Sequence, residues 1–259
     1  MEPYSADRSL YGKLRRRVAR LVTQKPATLS GLRCPLLTIS FDDAPASSAR
    51  EGAKILKKHG VHGTWFISTG LSGQESHLGE YTTADDIKAL HAAGHEIACH
   101  THTHIDCGRA PVRDIAQELQ RNHDALRHLG LPAPRTFAYP YGDVSPAAKG
   151  LLHDRYLASR ALHHGLVTTG TDLNQMPAVG IEGACGEHTA MTWLEKAAKT
   201  RDAWLILYTH DVRDTPSDWG CTPAALDRIL SQACTMGFEI VTFEAGARRA
   251  QGLPMAKVA

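Results

Sequence analysis

The chain has 259 residues, 42% hydrophobic and 22% charged, enough for a substantial core in one large α/β domain or two small ones. Twenty-nine lysines and arginines against 27 acids leave a formal charge of +2, too weak a field to imply nucleic acid or another polyanion. Six dispersed cysteines without a C-x-x-C pair argue against a zinc ribbon and a dense disulfide framework, and point to a reducing compartment.

The N-terminal stretch through Gln24 holds no apolar run long enough for a signal peptide, and nowhere does one approach the ~20 residues of a membrane span. A cytoplasmic protein is expected. Leu10, Leu14, Val18 and Leu21 recur at helical spacing beside Lys13, Arg15, Arg16, Arg17 and Arg20, which predicts a basic amphipathic helix within an N-terminal segment, 1–33. Its apolar stripe is expected to dock on the protein's own body, with peripheral contact to an anionic membrane surface as the alternative.

Residues 34–259 read as one domain without a linker or repeat. PLLTISF (35–41) is β-prone, and a helical pattern over 47–60 ends on glycine. GTWFIS (63–68), with Trp65 in the core, precedes a capped helix over 82–94. EIAC (96–99) is a strand, 112–130 the longest helix, TFAYP (136–140) a strand, and a short helix is expected near 145–154. RYLAS (155–159), a helix over 191–200, AWLILYT (203–209), a helix over 222–237 and FEIVTF (238–243) complete the series. Between Leu162 and Thr189 glycines replace periodicity, so irregular structure is expected there.

Seven strand-like runs separated mostly by helices call for parallel strands in a distorted or incomplete barrel, with an open doubly wound sheet as the alternative. Polar groups follow several strands directly: Asp42 and Asp43 the first, His100 to His104 the third, Tyr141 and Gly142 the fourth, His210 and Asp211 the sixth. In a parallel barrel those ends open on the one face that carries chemistry.

His100 and His104 share one side if the chain turns after the strand, which leaves His102 pointing elsewhere; an extended chain would align all three. Two imidazoles need a third ligand, and a carboxylate from Asp42 or Asp43 is the natural source, with open positions left for water and substrate. Taken separately, two aspartates after a strand suit a turn or a helix cap, and HTHTH could be an accidental cluster among 15 histidines. His210 would be a general acid on the same rim, or a histidine satisfied by a loop carbonyl.

SFDDAP, GHEIACHTHTH, FAYPYG and LILYTHD, in that order, resemble the first, second, third and fifth motifs of the polysaccharide deacetylase family, the NodB-type carbohydrate esterases. The resemblance covers about residues 34–245. It implies a distorted (β/α)7–8 barrel, a single divalent metal, usually zinc, on Asp43, His100 and His104, Asp42 as general base, His210 as general acid, and the Tyr141 backbone N–H at the oxyanion. The products would be acetate and a free amino sugar.

Two departures matter. The arginine that many members carry in the third motif, where it steadies the catalytic aspartate, is replaced here by Ala138, and Arg135 three residues earlier is no assured substitute. For the fourth motif, whose acid orients the histidine, Asp172 is the weak candidate. Tyr139 and Trp219 lie in or beside rim loops where aromatic faces could meet sugar rings. The substrate is read as an N-acetylated glycan, more specifically a sugar precursor, polymeric or lipid-linked. The rival readings are an amidohydrolase acting on a formamido sugar or cyclic ureide, and a catalytically silent sugar-binding homologue.

Overall fold

The structure is a computed structural model that describes residue 7 and residues 9–254; residues 1–6 and 8 of the expected N-terminal segment and 255–259 of the expected domain lie outside it. Strand β1 (Leu36–Phe41) is buried at all six positions, as a near-continuous apolar run in a doubly covered parallel sheet must be. It pairs along its length with β9 (Trp204–Thr209), equally buried, and both strands lie in the interior of the sheet.

The remaining strands are β2 (Thr64–Ile67), β5 (Glu96–Cys99), β6 (Thr136–Ala138), β7 (Ala158–Arg160), β8 (Val179–Gly180) and β10 (Glu239–Ile240). The order is β7-β6-β5-β2-β1-β9-β8, with β10 also on β1, and every pairing is parallel. Arg160 of β7 forms a parallel bridge with Met176, three residues before β8, so the curled sheet all but closes into the expected distorted barrel.

Helices α2 (Ala53–Lys58), α3 (Ala84–Ala92), α4 (Val112–His128), α5 (Pro146–His153), α6 (Gly186–Ala198), α7 (Pro223–Thr235) and α8 (Phe243–Arg249) connect or follow the strands. Thr83 caps α3 through a reciprocal bond with Asp86, and Thr222 caps α7 just before Pro223 at its first position. A two-stranded hairpin, β3 (Glu75–Ser76) with β4 (Gly79–Glu80), stands between β2 and α3.

Several boundaries differ from the periodicity. Residues 238–243 yield only two strand residues, because Thr242 caps α8, whose Phe243 packs on Phe66 and Trp204. The strand expected over 155–159 sits at Ala158–Arg160, paired to β6 through Thr136, Phe137 and Ala138. The irregular stretch after Leu162 contains β8 and the first turn of α6.

Helix α1 (Leu10–Leu21) forms where expected but presents the opposite side to the body. Gly12 and Ala19 are buried, Arg15 and Arg16 bind Asp143, and Lys149 Nζ donates to the Ala19 carbonyl at 2.6 Å. The apolar residues that were expected to dock are exposed, from 40% at Val18 to 84% at Leu10. Ion pairs at close range fix which side faces inward, and the leucines stay toward solvent. Beyond α1, Ala27 and Leu29 enter the core, and residues 25–27 pair with 170–173. Among the described residues no helix is long and apolar enough to cross a membrane.

Candidate active site

The C-terminal ends of β1, β5, β6 and β9 open on one side of the sheet, and the polar segments that follow them meet there. Seven non-glycine residues among those described have left-handed backbone conformations, and five belong to this rim: Asp43, Ala44, Thr101, His104 and Tyr141. Each such residue costs about 1–3 kcal/mol, so the concentration marks a place where the fold enforces side-chain direction.

At the end of β1, Asp43 and Ala44 both adopt positive φ, which sends adjacent aspartates to different partners. Asp42 turns to Arg160, and Asp43 turns to the histidines. After β5 the chain reverses through Thr101 (φ 64°) and His104 (φ 60°) rather than through a helical turn. The Thr101 hydroxyl accepts from the Ile105 N–H at 3.1 Å, and the buried Glu118 carboxylate of α4 accepts from the N–H groups of His102 and Thr103 at 3.1 and 2.6 Å. The loop is thereby clamped with His100 and His104 facing each other, ring centroids 4.9 Å apart. His102 points away, its Nδ1 2.9 Å from the Thr69 hydroxyl.

Asp43 Oδ1 lies 3.0 Å from His104 Nε2 and 3.4 Å from His100 Nε2. Ligand atoms of all three residues lie within 4.8 Å of one another. His100 Nδ1 is 2.8 Å from the Ala138 carbonyl, an acceptor only, so Nδ1 carries a proton and Nε2 is the nitrogen turned to the carboxylate. Burial holds His104 down to about 4 despite the raising effect of Asp43. Asp43 is ionised: burial opposes its charge, but His104, His100 and His210 together outweigh burial and hold it well below the usual range. Its Oδ1 accepts no aligned hydrogen bond although two nitrogens lie beside it. Two imidazole nitrogens converging on a buried carboxylate oxygen that accepts no aligned bond fit a shared cation, and these three residues are the ones that would hold it.

His210 follows β9 with Nε2 4.0 Å from Asp43 Oδ2. Its Nδ1 lies 3.2 Å from the Trp219 carbonyl and 3.1 Å from Glu182 Oε1. Burial works against its charge, but hydrogen bonding to Glu182 and the carboxylates of Asp43 and Asp42 outweigh it and lift His210 to about 9. The ring is therefore a proton donor near neutral pH.

Tyr141 has φ 59° in the turn after β6, and its ring meets His104 edge-on at 4.3 Å. Gly142 behind it has φ 62°, and a Cβ there would lie 2.7 Å from Leu162, so only glycine lets the turn close. Trp219 is half-buried, with its ring 5.1 Å from His77 at the tip of the β3–β4 hairpin.

Two expected site residues are elsewhere. Tyr139 is 1% exposed, with its hydroxyl donating to the Asn174 carbonyl, and cannot face a sugar. Asp172 accepts from the Lys25 and Asn174 N–H groups and pairs with Lys149 at 2.5 Å, a structural clamp on the N-terminal segment; Glu182 stands at His210 instead. Two residues that the sequence did not announce are essential to the geometry: Glu182, and Arg160, whose Nη2 donates to Asp42 Oδ1 with neither residue more than 3% exposed. The Arg160 guanidinium lies over the rings of Phe66 (4.8 Å) and Tyr208 (5.1 Å).

Residues 31–155 match the polysaccharide deacetylase family. Chitin deacetylase of Colletotrichum lindemuthianum is 24% identical over 130 residues, 49% of this chain and 51% of that protein. Poly-beta-1,6-N-acetyl-D-glucosamine N-deacetylase of Staphylococcus aureus is 27% identical over 171 residues, 60% of this chain and 57% of that one. The chain thus spans little more than half the length of either relative. A solved structure of a putative polysaccharide deacetylase from Mycobacterium smegmatis superposes with TM-score 0.66 at 17% identity, covering 91% of this chain and 98% of that one. A family 4 acetyl xylan esterase from Clostridium thermocellum, solved with a cobalt ion, gives TM-score 0.59 at 21% identity over 85% and 93%. At these identities the structural likenesses establish the fold.

Proposed function

We propose that the chain, whose residues 31–155 match the polysaccharide deacetylase family, hydrolyses N-acetyl groups on an amino-sugar glycan, polymeric, oligomeric or lipid-linked, to give acetate and a free amine. The observation that carries this reading is the meeting of Asp42, Asp43, His100, His104 and His210 on one rim, with Arg160 and Glu182 behind them. Asp43, His100 and His104 would hold one divalent ion, for which two imidazoles and a carboxylate suit zinc. When bound, that ion supplies Lewis acidity toward the amide carbonyl and the attacking water.

The side chains divide the proton work. Arg160 occupies Asp42 Oδ1 and keeps the carboxylate turned to the rim, so its other oxygen takes the proton of the attacking water. The Tyr141 N–H, set by a left-handed backbone, is assigned to the developing oxyanion. His210 then delivers its Nε2 proton to the departing nitrogen, while Trp219 and Glu182 hold Nδ1. Water adds across the C–N bond, and the balance is acetate and amine. The Trp219 ring is assigned to one face of the sugar. Peripheral contact of α1 with a membrane suits a lipid-linked substrate.

The test is acyl release from N-acetylated and N-formylated oligosaccharides by metal-stripped and zinc-reloaded protein. Acetate release that requires reloading and disappears in Asp42→Asn is expected. Release of formate alone would move the assignment to the amidohydrolase reading. Sugar binding without any acyl release would leave a silent homologue.

A further inference from the structure

Among the described residues seven large hydrophobic side chains are exposed, and five of them lie on α1: Leu10, Tyr11, Leu14, Val18 and Leu21. At about 100° per residue they fall within one arc of roughly 100°. The opposite arc is spent on the body, where Arg15 and Arg16 reach Asp143 at 2.7 and 3.0 Å and Gly12 and Ala19 are buried. Along one edge of the apolar arc stand Lys13, Arg17 and Arg20, all exposed, and none pairs with an acid among the described residues. A surface helix of a water-soluble fold normally turns its leucines inward. Here two ion pairs to the buried Asp143 hold them outward.

We propose that α1 seats the chain on an anionic lipid surface. A second copy of the chain is the less suitable occupant, because a facing α1 carries no acid to meet the cationic edge. A bilayer accepts a convex apolar ridge without needing a groove, and anionic headgroups match Lys13, Arg17 and Arg20, which pair with no acid among the described residues. The placement also serves the chemistry. Asp143, the anchor of α1, is two residues from Tyr141, so the docked helix lies near the rim, and a lipid-carried glycan would be held close to it. This last consequence rests on the reading of the rim as a deacetylase site; the docking itself does not.

The experiment is co-sedimentation of the full chain with phosphatidylcholine vesicles, with and without about one third phosphatidylglycerol, alongside acetate release from a water-soluble chitooligosaccharide. Binding to the anionic vesicles alone is expected. It should fall about tenfold in Leu14→Asp/Val18→Asp, and several-fold in Lys13→Gln/Arg17→Gln/Arg20→Gln or in high salt. Acetate release should be unchanged in both variants, since these side chains touch nothing at the rim. Absence of binding to anionic vesicles, or equal binding by wild type and Leu14→Asp/Val18→Asp, would overturn the proposal. So would a wild-type dimer that Leu14→Asp/Val18→Asp converts to monomer without any vesicle binding. Acetate release lost in the wild type with vesicle binding intact would instead overturn the deacetylase reading and leave the docking standing.

Discussion

Arg160 at the end of β7 donates to the carboxylate of Asp42 at the end of β1, joining residues 118 positions apart in a buried ion pair. The guanidinium cannot shed its charge, and its faces are covered by Phe66 and Tyr208. Removing it strands an uncompensated carboxylate, at a cost of about 3–5 kcal/mol. Arg160→Met should therefore unfold at lower denaturant and lose about 100-fold in kcat, with Arg160→Lys recovering part of both. Asp42→Asn/Arg160→Met should be more stable than Arg160→Met alone, because the stranded charge is gone. Denaturation curves and kcat for the four proteins check this, and an unchanged kcat in folded Arg160→Met would remove Arg160 from the catalytic account.

Glu182 and Asp172 offer a paired comparison. Glu182 stands 3.1 Å from His210 Nδ1, whereas Asp172 sits with Lys149 and the N-terminal segment. Glu182→Gln should lower kcat about tenfold or more with little change in KM or stability, since it alters how the acid ring is held. Asp172→Asn should leave kcat unchanged and cost about 1–3 kcal/mol, because the buried Lys149 loses its counter-charge. Steady-state kinetics and thermal unfolding of both variants separate the roles, and the converse pattern would restore Asp172 to the site.

The grouping of Asp43, His100 and His104 was legible because these residues follow apolar strands on one rim, while the choice of Asp43 over Asp42 came from the family resemblance. Arg160 and Glu182 were not legible. Arg160 lies in a three-residue strand that periodicity placed earlier, and Glu182 follows a two-residue strand in a glycine-rich stretch. Both act through contacts across the sheet, and the family match ends at residue 155, before either of them. Tyr139 misled for a related reason: next to a rim turn it looks exposed, but its pairing partner is Arg160, and its ring packs edge-on to Phe137 in the core. The orientation of α1 was settled by Asp143, whose approach to Arg15 and Arg16 no local pattern encodes.

The three histidines of HTHTH are not equivalent. His104→Ala and His100→Ala each remove a nitrogen that faces Asp43 Oδ1, and should lower zinc affinity about 100-fold or more and abolish acyl release. His102→Ala removes a ring that contacts Thr69, and should retain zinc within a factor of about two. Metal content after dialysis against graded zinc reads this without reference to activity. Equal zinc loss in all three would mean that the loop, rather than the ligand atoms, was being disturbed.

Glu96 lies at the opposite end of the sheet, where β5 begins. Its carboxyl accepts from the Thr64 hydroxyl at 2.8 Å, the Glu244 N–H at 2.7 Å and the Thr136 hydroxyl. Burial raises it from 4.5 to about 7, and those three bonds offset the rise only in part. The folded protein thus keeps a proton that the unfolded chain has released over that interval, so stability from this group is full below about pH 4.5 and is lost as pH rises toward 7. Glu96→Gln, which cannot ionise, should gain on the wild type steadily from about pH 5 to 7.5, by an amount on the order of 1–3 kcal/mol, and hold a constant lead above that. Unfolding of both proteins followed across pH 5–9 by denaturant measures the gap. A difference that stays flat throughout would show that Glu96 is already ionised in the native state.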